Sequence, residues 1–324
     1  MSVKQAVISI LEENRGGTLS GQEIADSLNV SRAAVWKAVK SLQNEGFAIT
    51  AVPNKGYILQ EKSDVLSPEG VRLALPKQYK TLPISVFKIL DSTNNQAKKA
   101  ALEGASSGTL IIAEQQSAGR GRQGRSFYSP AAQGLYMSII LRPQNNNLSD
   151  CLLITVRAAV ATARAISRLT DAQAQIKWVN DIFINDKKVC GILTEAISDF
   201  ESGGVEAVII GIGVNCQNSC FPADLQPIAT SLKQYNINRN RLAAAITANL
   251  LSLQDYPDDL LIEEYKAKSN IIGKQITFEQ NGQKLVGEAV NINLQGNLIV
   301  KCGRSLITLQ AGEISIGSGN IIND

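Results

Sequence analysis

The densest chemical signal in the chain is the heptad Gly119-Arg120-Gly121-Arg122-Gln123-Gly124-Arg125, which follows an apolar, strand-like stretch. From Gln115 to Ser149 there are four arginines and no acidic residue. Glycines let a backbone curl around an anion, and guanidinium groups offer forked donors that match phosphate or carboxylate. Two other readings stay open for the heptad alone: a flexible basic loop, or an arginine-glycine stretch that contacts RNA. A dinucleotide-binding glycine fingerprint fits less well, because Arg120 and Arg122 crowd the turn and no helix clearly opens there.

A second signal is Lys177-Trp178-Val179-Asn180-Asp181, followed by Asn185-Asp186-Lys187-Lys188-Val189-Cys190-Gly191-Ile192-Leu193. A hairpin turning at Asn185-Asp186 sets Lys188 and Gly191 opposite Asp181 and Ile182. A lysine and an aspartate on one site suit a phosphate with either a cation or an amine; the plain alternative is an ordinary exposed turn. Asp91-Ser92-Thr93-Asn94 precedes an alanine-rich helix, where Ser or Thr commonly serves as an N-cap. In Val208-Ile209-Ile210-Gly211-Ile212-Gly213-Val214-Asn215 the glycines of a buried strand permit close approach of a ligand or of a neighbouring chain.

The composition restricts the chemistry. The 324 residues include no histidine, which removes Ser-His-Asp and Cys-His catalysis and disfavours a zinc site. Carboxylates, lysines, arginines, backbone amides or a bound metal must do the work. The five cysteines, Cys151, Cys190, Cys216, Cys220 and Cys302, are scattered with no CxxC pair, which points to reduced and mostly buried thiols rather than a disulfide framework. A net charge of +3 identifies no partner. No apolar run approaches the roughly 18 residues of a membrane span. The start Met1-Ser2-Val3-Lys4 reads as helix rather than signal peptide, so a cytoplasmic location is expected.

The length suggests two or three domains. Residues 1–62 predict a winged helix-turn-helix: a helix over Val3–Glu13, a second opened by the capping box Ser20-Gly21-Gln22-Glu23 and ending at Leu28, a third over Arg32–Asn44 capped by Ser31, then strands Phe47–Val52 and Gly56–Leu59. Residues 63–82 read as linker with a short helix at Ser67-Pro68-Glu69. Over 83–269 strands are expected at Ile84–Leu90, Thr109–Gln115, Gly134–Leu141, Ile176–Trp178, Asp181–Ile184, Lys187–Glu195 and Ala207–Val214. Helices are expected at Cys151–Leu169, Arg241–Gln254 and Asp258–Ser269. Hairpin signals dominate, so the fold class is α+β with a mixed sheet rather than a doubly wound parallel one. Residues 270–324 carry turn signals at Asn281-Gly282, Gln295-Gly296-Asn297 and Cys302-Gly303-Arg304, the pattern of a small SH3-like β-barrel.

Charge within the first domain is uneven. Residues 30–60 hold Arg32, Lys37, Lys40 and Lys55 against Glu45 alone, while the preceding 29 residues hold Lys4 and Arg15 against Glu12, Glu13, Glu23 and Asp26. Positive charge thus falls on the third helix and the wing, where phosphate contact requires it; a solvated helix face is the other reading.

Taken in order, these segments resemble the biotin–protein ligases. That family has a Ser-Thr-Asn turn, a Gly-Arg-Gly-Arg-x-Gly-Arg loop, a Lys-Trp-Pro-Asn-Asp strand, a Lys-x-x-Gly-Ile-Leu strand and a Gly-x-Gly-x-Asn segment, all with counterparts here over about 125 residues. The one departure is Val179 in place of the usual proline, which removes stiffness but no functional group. The two flanking domains are similar to those of the subgroup that also represses biotin synthesis genes.

The resemblance implies activation of biotin with ATP, accompanied by Mg²⁺ rather than a fixed protein metal site, and transfer to a lysine of a biotin carboxyl carrier protein. It implies that Ser92, Thr93, Asn94 and Gln116 hydrogen-bond the ureido ring, and that Gly119, Arg120, Gly121 and Arg122 close over biotin and phosphate. Lys188 would hold the α-phosphate and the biotin carboxylate, with Gly191 admitting the ligand. Asn180 and Asn215 would lie on the nucleotide side, Asn215 by the adenine, and Asp181 would face the incoming lysine. Operator DNA would be met by Ser20, Gln22, Ser31, Arg32, Lys37, Lys40 and Lys55, in a homodimer promoted by ligand. The competing readings are a lipoate-type ligase, whose relatives lack the arginine heptad; a ligase whose winged helix has no regulatory part; and a ligand-sensing regulator without catalysis, which has no need of Asp181.

Overall fold

The computed structural model describes residues 2–143, 150–198, 204–280, 282–310, 312 and 314–316. Asn281 of the expected Asn281-Gly282 turn, the Cys151 side chain and the final segment 317–324 lie outside the described residues.

Three helices, α1 (Val3–Glu13), α2 (Gly21–Leu28) and α3 (Arg32–Asn44), precede a two-stranded ribbon of β1 (Ile49–Val52) and β2 (Gly56–Leu59). Each helix starts at a serine. Ser2 and Ser20 form reciprocal capping boxes with Gln5 and Glu23, and Ser31 accepts from the Ala34 amide at 3.2 Å. Satisfying these first-turn amides fixes where the chain changes direction. Val7, Leu11, Ile24, Val35, Val39, Leu42 and Leu59 form a core of their own. The first wing strand begins at Ile49 rather than Phe47.

Residues 63–67 are gripped by the segment that opens a later helix. The Asn238 amide donates to the Ser63 carbonyl, Arg239 pairs with Asp64, and Asn240 bonds both the Val65 carbonyl and the Ser67 amide. Arg239, only 2% exposed, also meets Glu114 at 2.7 Å. A short helix, α4 (Pro68–Ala74), follows, capped by Ser67.

The central unit runs β3 (Ile84–Phe87), α5 (Thr93–Leu102), β4 (Leu110–Ala113), β5 (Gly134–Leu141), α6 (Asp150–Leu169), β6 (Gln175–Lys177), β7 (Asp181–Ile184), β8 (Lys187–Ser198), β9 (Val205–Asn215), α7 (Arg239–Ser252) and α8 (Asp258–Ala267). Its seven strands lie in the order β3-β4-β5-β9-β8-β7-β6, parallel between β3 and β4 and antiparallel elsewhere. The class is therefore α+β with a mixed sheet. Alternate residues feed two cores: Ile111, Ile140 and Ile209 pack on α5 alanines, whereas Leu110, Ile139 and Ile210 join the larger core with α6 and α7. Cover on both faces explains why these strands read as unbroken apolar runs. Helix α7 starts two residues earlier than Arg241, because Asn238 caps it.

The β7–β8 hairpin turns at Asn185 and Asp186, both with positive φ, as a two-residue primed turn requires. Its register differs from the simple expectation. Next to the turn Lys188 faces Phe183, as a two-residue loop dictates, and beyond it a bulge skips Val189, which brings Gly191 rather than Cys190 opposite Asp181. One extra residue on β8 shifts every pairing on the side of the bulge away from the turn.

The last strands, β10 (Gln275–Gln280), β11 (Gln283–Ile292), β12 (Leu298–Cys302), β13 (Ser305–Leu309) and β14 (Ile314–Ile316), form an antiparallel sheet ordered β13-β12-β11-β10-β14. Among the described residues no pairing joins β13 to β14, so no closed barrel is seen. The sheet buries Ile276, Phe278, Ala289 and Val300 in the same core as the central unit, and its Gly296 carbonyl accepts from Trp178 Nε1 at 2.9 Å.

Candidate active site

A cleft of about 270 Å³ opens where the start of α5, the 119–127 loop, the β7–β8 hairpin and β9 converge. One end is neutral and polar. Ser92 occupies the N-cap position of α5 yet makes no capping bond, so its hydroxyl is not engaged as the sequence alone suggests. The Thr93 amide and hydroxyl donate to Gln116 Oε1 at 2.8 and 3.2 Å, and Gln116 Nε2 donates to Ser129 Oγ at 3.0 Å. Buried Ser138 Oγ lies 2.7 Å from Asn94 Oδ1 and 2.8 Å from Thr93 Oγ1. Asn94 Nδ2 donates to Glu195 Oε2 at 2.7 Å and to the Leu193 carbonyl at 3.3 Å. Such a network presets donors and acceptors in fixed directions, which suits a small polar ring.

Glycines make the floor. A Cβ on Gly211 would stand 2.2 Å from Asn94 Oδ1, and one on Gly213 would stand 2.5 Å from the Phe127 ring. Gly191 has Lys188 Cε and Nζ at 3.2 Å from the same hypothetical atom. A side chain at Gly211 or Gly213 would force Asn94 or Phe127 to move, and one at Gly191 would crowd Lys188.

The other end is cationic. The 119–127 loop closes on itself through Gly121 N to the Arg125 carbonyl (2.7 Å) and Phe127 N to the Gly119 carbonyl (2.8 Å), with a turn at Gln123 and Gly124, both at positive φ. Arg122 Nη1 donates to Asn180 Oδ1 at 3.1 Å, and Asn180 Nδ2 donates to the Ile192 carbonyl at 2.7 Å. Arg120 hydrogen-bonds Asn95 and lies 3.6 Å from Glu195, which Lys98 also holds at 2.6 Å. Burial works to raise the Glu195 carboxyl, but hydrogen bonds from Lys98 and Asn94, with the Lys98 and Arg120 charges, prevail and hold it below the usual range. Lys188 Nζ lies 2.7 Å from Asp181 Oδ1. Arg120, Arg122, Arg125, Lys177 and Lys188 line the cleft, with Asp181 as the one carboxylate among the described lining residues. The arrangement can bind and neutralise a polyanion while leaving one acid beside it.

The turn carrying Asn180 is braced from behind. Buried Tyr265 of α8 donates its hydroxyl to the Val179 carbonyl at 3.1 Å, and the Trp178–Val179 peptide is cis. The adjacent Cys190 thiol is pushed up by burial, which makes it packing material rather than a nucleophile. No cluster of three potential metal ligands occurs among the described residues.

Three family models match the chain in order: an HTH domain over residues 3–58, the biotin/lipoate A/B protein ligase family over 86–215, and the biotin protein ligase C terminal domain over 271–317. The bifunctional ligase/repressor BirA of Bacillus subtilis (strain 168) is 35% identical, with 98% of this chain and 99% of that protein covered. The chain belongs to the biotin protein ligase family. The bifunctional ligase/repressor BirA of Escherichia coli (strain K12) is 28% identical over 92% of the chain and 93% of its own length. The solved biotin protein ligase from Aquifex aeolicus in complex with biotin and ATP superposes with a TM-score of 0.61 at 25% identity, over 72% of this chain and 97% of that one.

Within this ligase the cleft gathers Ser92, Thr93, Asn94, Gln116, Arg120, Gly121, Arg122, Asn180, Asp181, Lys188 and Gly191. Gly119 lies behind them, where a Cβ would strike the Phe127 carbonyl at 2.5 Å. Asn215 is not among the lining residues; its amide donates to the Thr230 carbonyl at 3.1 Å. Sequence reasoning missed Phe127, Ser138, Glu195 and the contribution of Gly312, Ile314 and Ser315 from the C-terminal sheet. In the winged helix, Arg32, Lys37, Lys40 and Lys55 are exposed. Ser20 and Ser31 serve as caps, and Gln22 donates to Asp26 at 2.7 Å.

Proposed function

We propose that this protein activates biotin with ATP to biotinyl-5'-AMP, transfers the acyl group to a lysine of a biotin carboxyl carrier protein, and represses transcription through its winged helix. The observation that carries the enzymatic reading is the Lys188–Asp181 pair beside Arg122, on a floor of three glycines. A biotin carboxylate oxygen attacks the α-phosphorus of MgATP and pyrophosphate leaves. This step requires in-line positioning and dispersal of charge, not a nucleophile from the protein. Lys188 and Arg122 supply that charge, with Asn180 orienting Arg122. The neutral polar end, Ser92 to Asn94 with Gln116, recognises the ureido ring, and Gly119 to Arg122 fold over the adenylate. Asn215 supports the adenine side through the Thr230 segment.

In the second step the acceptor amine attacks the acyl carbon and AMP leaves. A free lysine has a pKa of about 10.4, so an acid such as Asp181, freed from Lys188, accepts or orients its proton.

Residues 1–62 would act as the DNA-reading unit, 63–82 as its tether, 83–269 as the catalytic unit and 270–324 as an SH3-like barrel covering the cleft. Arg32, Lys37, Lys40 and Lys55 would meet operator phosphates. Among the described residues no helix is long and apolar enough to cross a membrane, and the reaction's substrates suit the cytoplasm. Incubating the protein with biotin, MgATP and a carrier domain tests the enzymatic reading. ATP-dependent biotin labelling of one carrier lysine is expected, and its absence with active carrier would overturn it.

A further inference from the structure

Helix α3 presents an outward face of Arg32, Ala33, Trp36, Lys37, Lys40 and Asn44, all exposed. Arg32, Trp36 and Lys40 are spaced i, i+4, i+8 and so fall on one stripe, with the indole between two cations. Trp36 is 52% exposed, whereas its neighbours Val35, Ala38 and Val39 are buried in the domain core. No acid shares this face: Glu45, just past the helix end, is tied to Lys4 at 2.6 Å. Single exposed apolar residues are common and by themselves mean little. Here the surroundings select the occupant. A stripe that alternates positive charge with a flat aromatic, beside a wing carrying exposed Lys55, complements a surface of phosphates flanking apolar base edges.

We propose that Trp36 is a sequence-reading residue of this helix, its indole set against base edges in the major groove while Arg32 and Lys40 contact the phosphates on either side. The inference rests on the DNA-binding reading above and assigns specificity within it. Lysine and arginine contacts to phosphate position a protein without telling one sequence from another, so a cationic helix needs some other group to discriminate. Tryptophan offers two means: apolar contact with the thymine C5-methyl, and one N–H donor for N7, O6 or O4 acceptors. Trp36 is the large apolar side chain on the outward face of α3, and the serines at the starts of α2 and α3 are engaged as caps.

The test uses the full-length protein with biotin and MgATP. Duplexes are selected from a random-sequence pool by the wild type, and affinities are then measured for the selected duplex and for a base-shuffled control. Trp36→Ala should weaken the selected duplex by roughly tenfold to 100-fold, the range for loss of one good base contact. It should leave the shuffled duplex and the salt dependence unchanged, and Trp36→Phe should recover part of the loss. Lys40→Ala should weaken both duplexes alike and lower the salt slope by about one. Unchanged biotin labelling and circular dichroism establish that each variant is folded. An unaltered selected-to-shuffled ratio in Trp36→Ala overturns the proposal, as does a changed sedimenting mass, which would mean that a second copy covers the indole. Failure of the wild type to enrich any sequence would instead overturn the DNA-binding reading itself.

Discussion

Lys188 Nζ and Asp181 Oδ1, on facing strands of one hairpin, lie 2.7 Å apart. The two residues assigned to successive half-reactions are thus each other's partners. In the proposed mechanism a phosphate drawn to Lys188 would compete with Asp181 for the same ammonium, so nucleotide binding would release the acid assigned to the second step. The pair is partly exposed and contributes about 0–1 kcal/mol to stability, so the competition is open to an incoming polyanion.

Lys188→Ala should therefore abolish most adenylate formation while leaving the fold intact. Removing one preorganised charge donor from a transition state typically costs about 10²–10³-fold. Pyrophosphate release with biotin and MgATP measures it, and thermal unfolding checks the fold. A rate near wild type would make Lys188 a turn residue only.

Asp181→Asn should separate the two steps. The amide keeps the shape but neither attracts the ammonium nor accepts its proton. Adenylate formation should persist, while transfer to carrier lysine slows by about 10²–10⁴-fold, the usual worth of a general base. Single-turnover transfer from preformed adenylate is the readout. Equal slowing of both steps would place Asp181 in the first.

Arg122→Ala and Gly119→Val should leak biotinyl-adenylate into solvent. Arg122 ties the 119–127 loop to Asn180, and a Cβ at Gly119 would strike the carbonyl of Phe127, the residue whose N–H closes the loop on the Gly119 carbonyl. Wild-type protein should be cut by trypsin at Arg120, Arg122 or Arg125 more slowly when biotin and MgATP are present. Equal cleavage in both conditions argues against closure over the ligand.

How much of this site can be read from sequence depends on residue type and range. The arginine heptad, the Lys188 hairpin and the glycine strand stand out because their compositions are costly without a reason. The bulge at Val189 leaves no local signature, so the shift that sets Gly191 rather than Cys190 opposite Asp181 appears only in the fold. Phe127, Ser138 and Glu195 are ordinary residues made important by neighbours distant in sequence, Asn94 and Glu195 being 101 positions apart. The approach of Gly312, Ile314 and Ser315 to the cleft depends on how two units pack, which hydrophobic periodicity cannot express. In the winged helix most contacts are local, and its caps and periodicity place all three helices.

Glu195→Gln should flatten the acid side of the stability profile. The folded carboxyl sits below its ordinary value of 4.5, so the folded state binds fewer protons than the unfolded chain as the pH falls through that region. The charged form's stabilisation is complete above about 4.5 and is lost as pH drops through the folded value. Urea midpoints of wild type and variant should therefore diverge above pH 4.5 and converge on acidification, with wild type the more stable at neutral pH. A difference independent of pH would assign the effect to packing.

The final prediction concerns coupling between ligation and DNA binding. Two-fold sites are read by dimers, and one winged helix with four basic contacts should bind weakly by itself. Biotin with MgATP should promote a homodimer and tighten operator binding, while carrier protein, which consumes the adenylate, should oppose both. By linkage, operator DNA must strengthen dimerisation by the factor that dimerisation strengthens DNA binding. Orientation matters as well as stoichiometry, and here the Asn238–Arg239–Asn240 grip on residues 63–67 enters. It ties the segment that follows the winged helix to the start of α7, and Glu114, gripped by Arg239, lies two residues before Gln116 of the cleft. Asn240→Ala removes the bonds to Val65 and Ser67 without touching the cleft. It should leave ligand-promoted dimers intact yet weaken operator binding by several-fold and relax the preferred half-site spacing. Sedimentation at micromolar protein and binding to operators of varied spacing measure the two effects separately. A mass that ignores biotin and ATP, together with unchanged operator affinity, would falsify the coupling, while a variant with wild-type spacing preference would show that the grip plays no part in it.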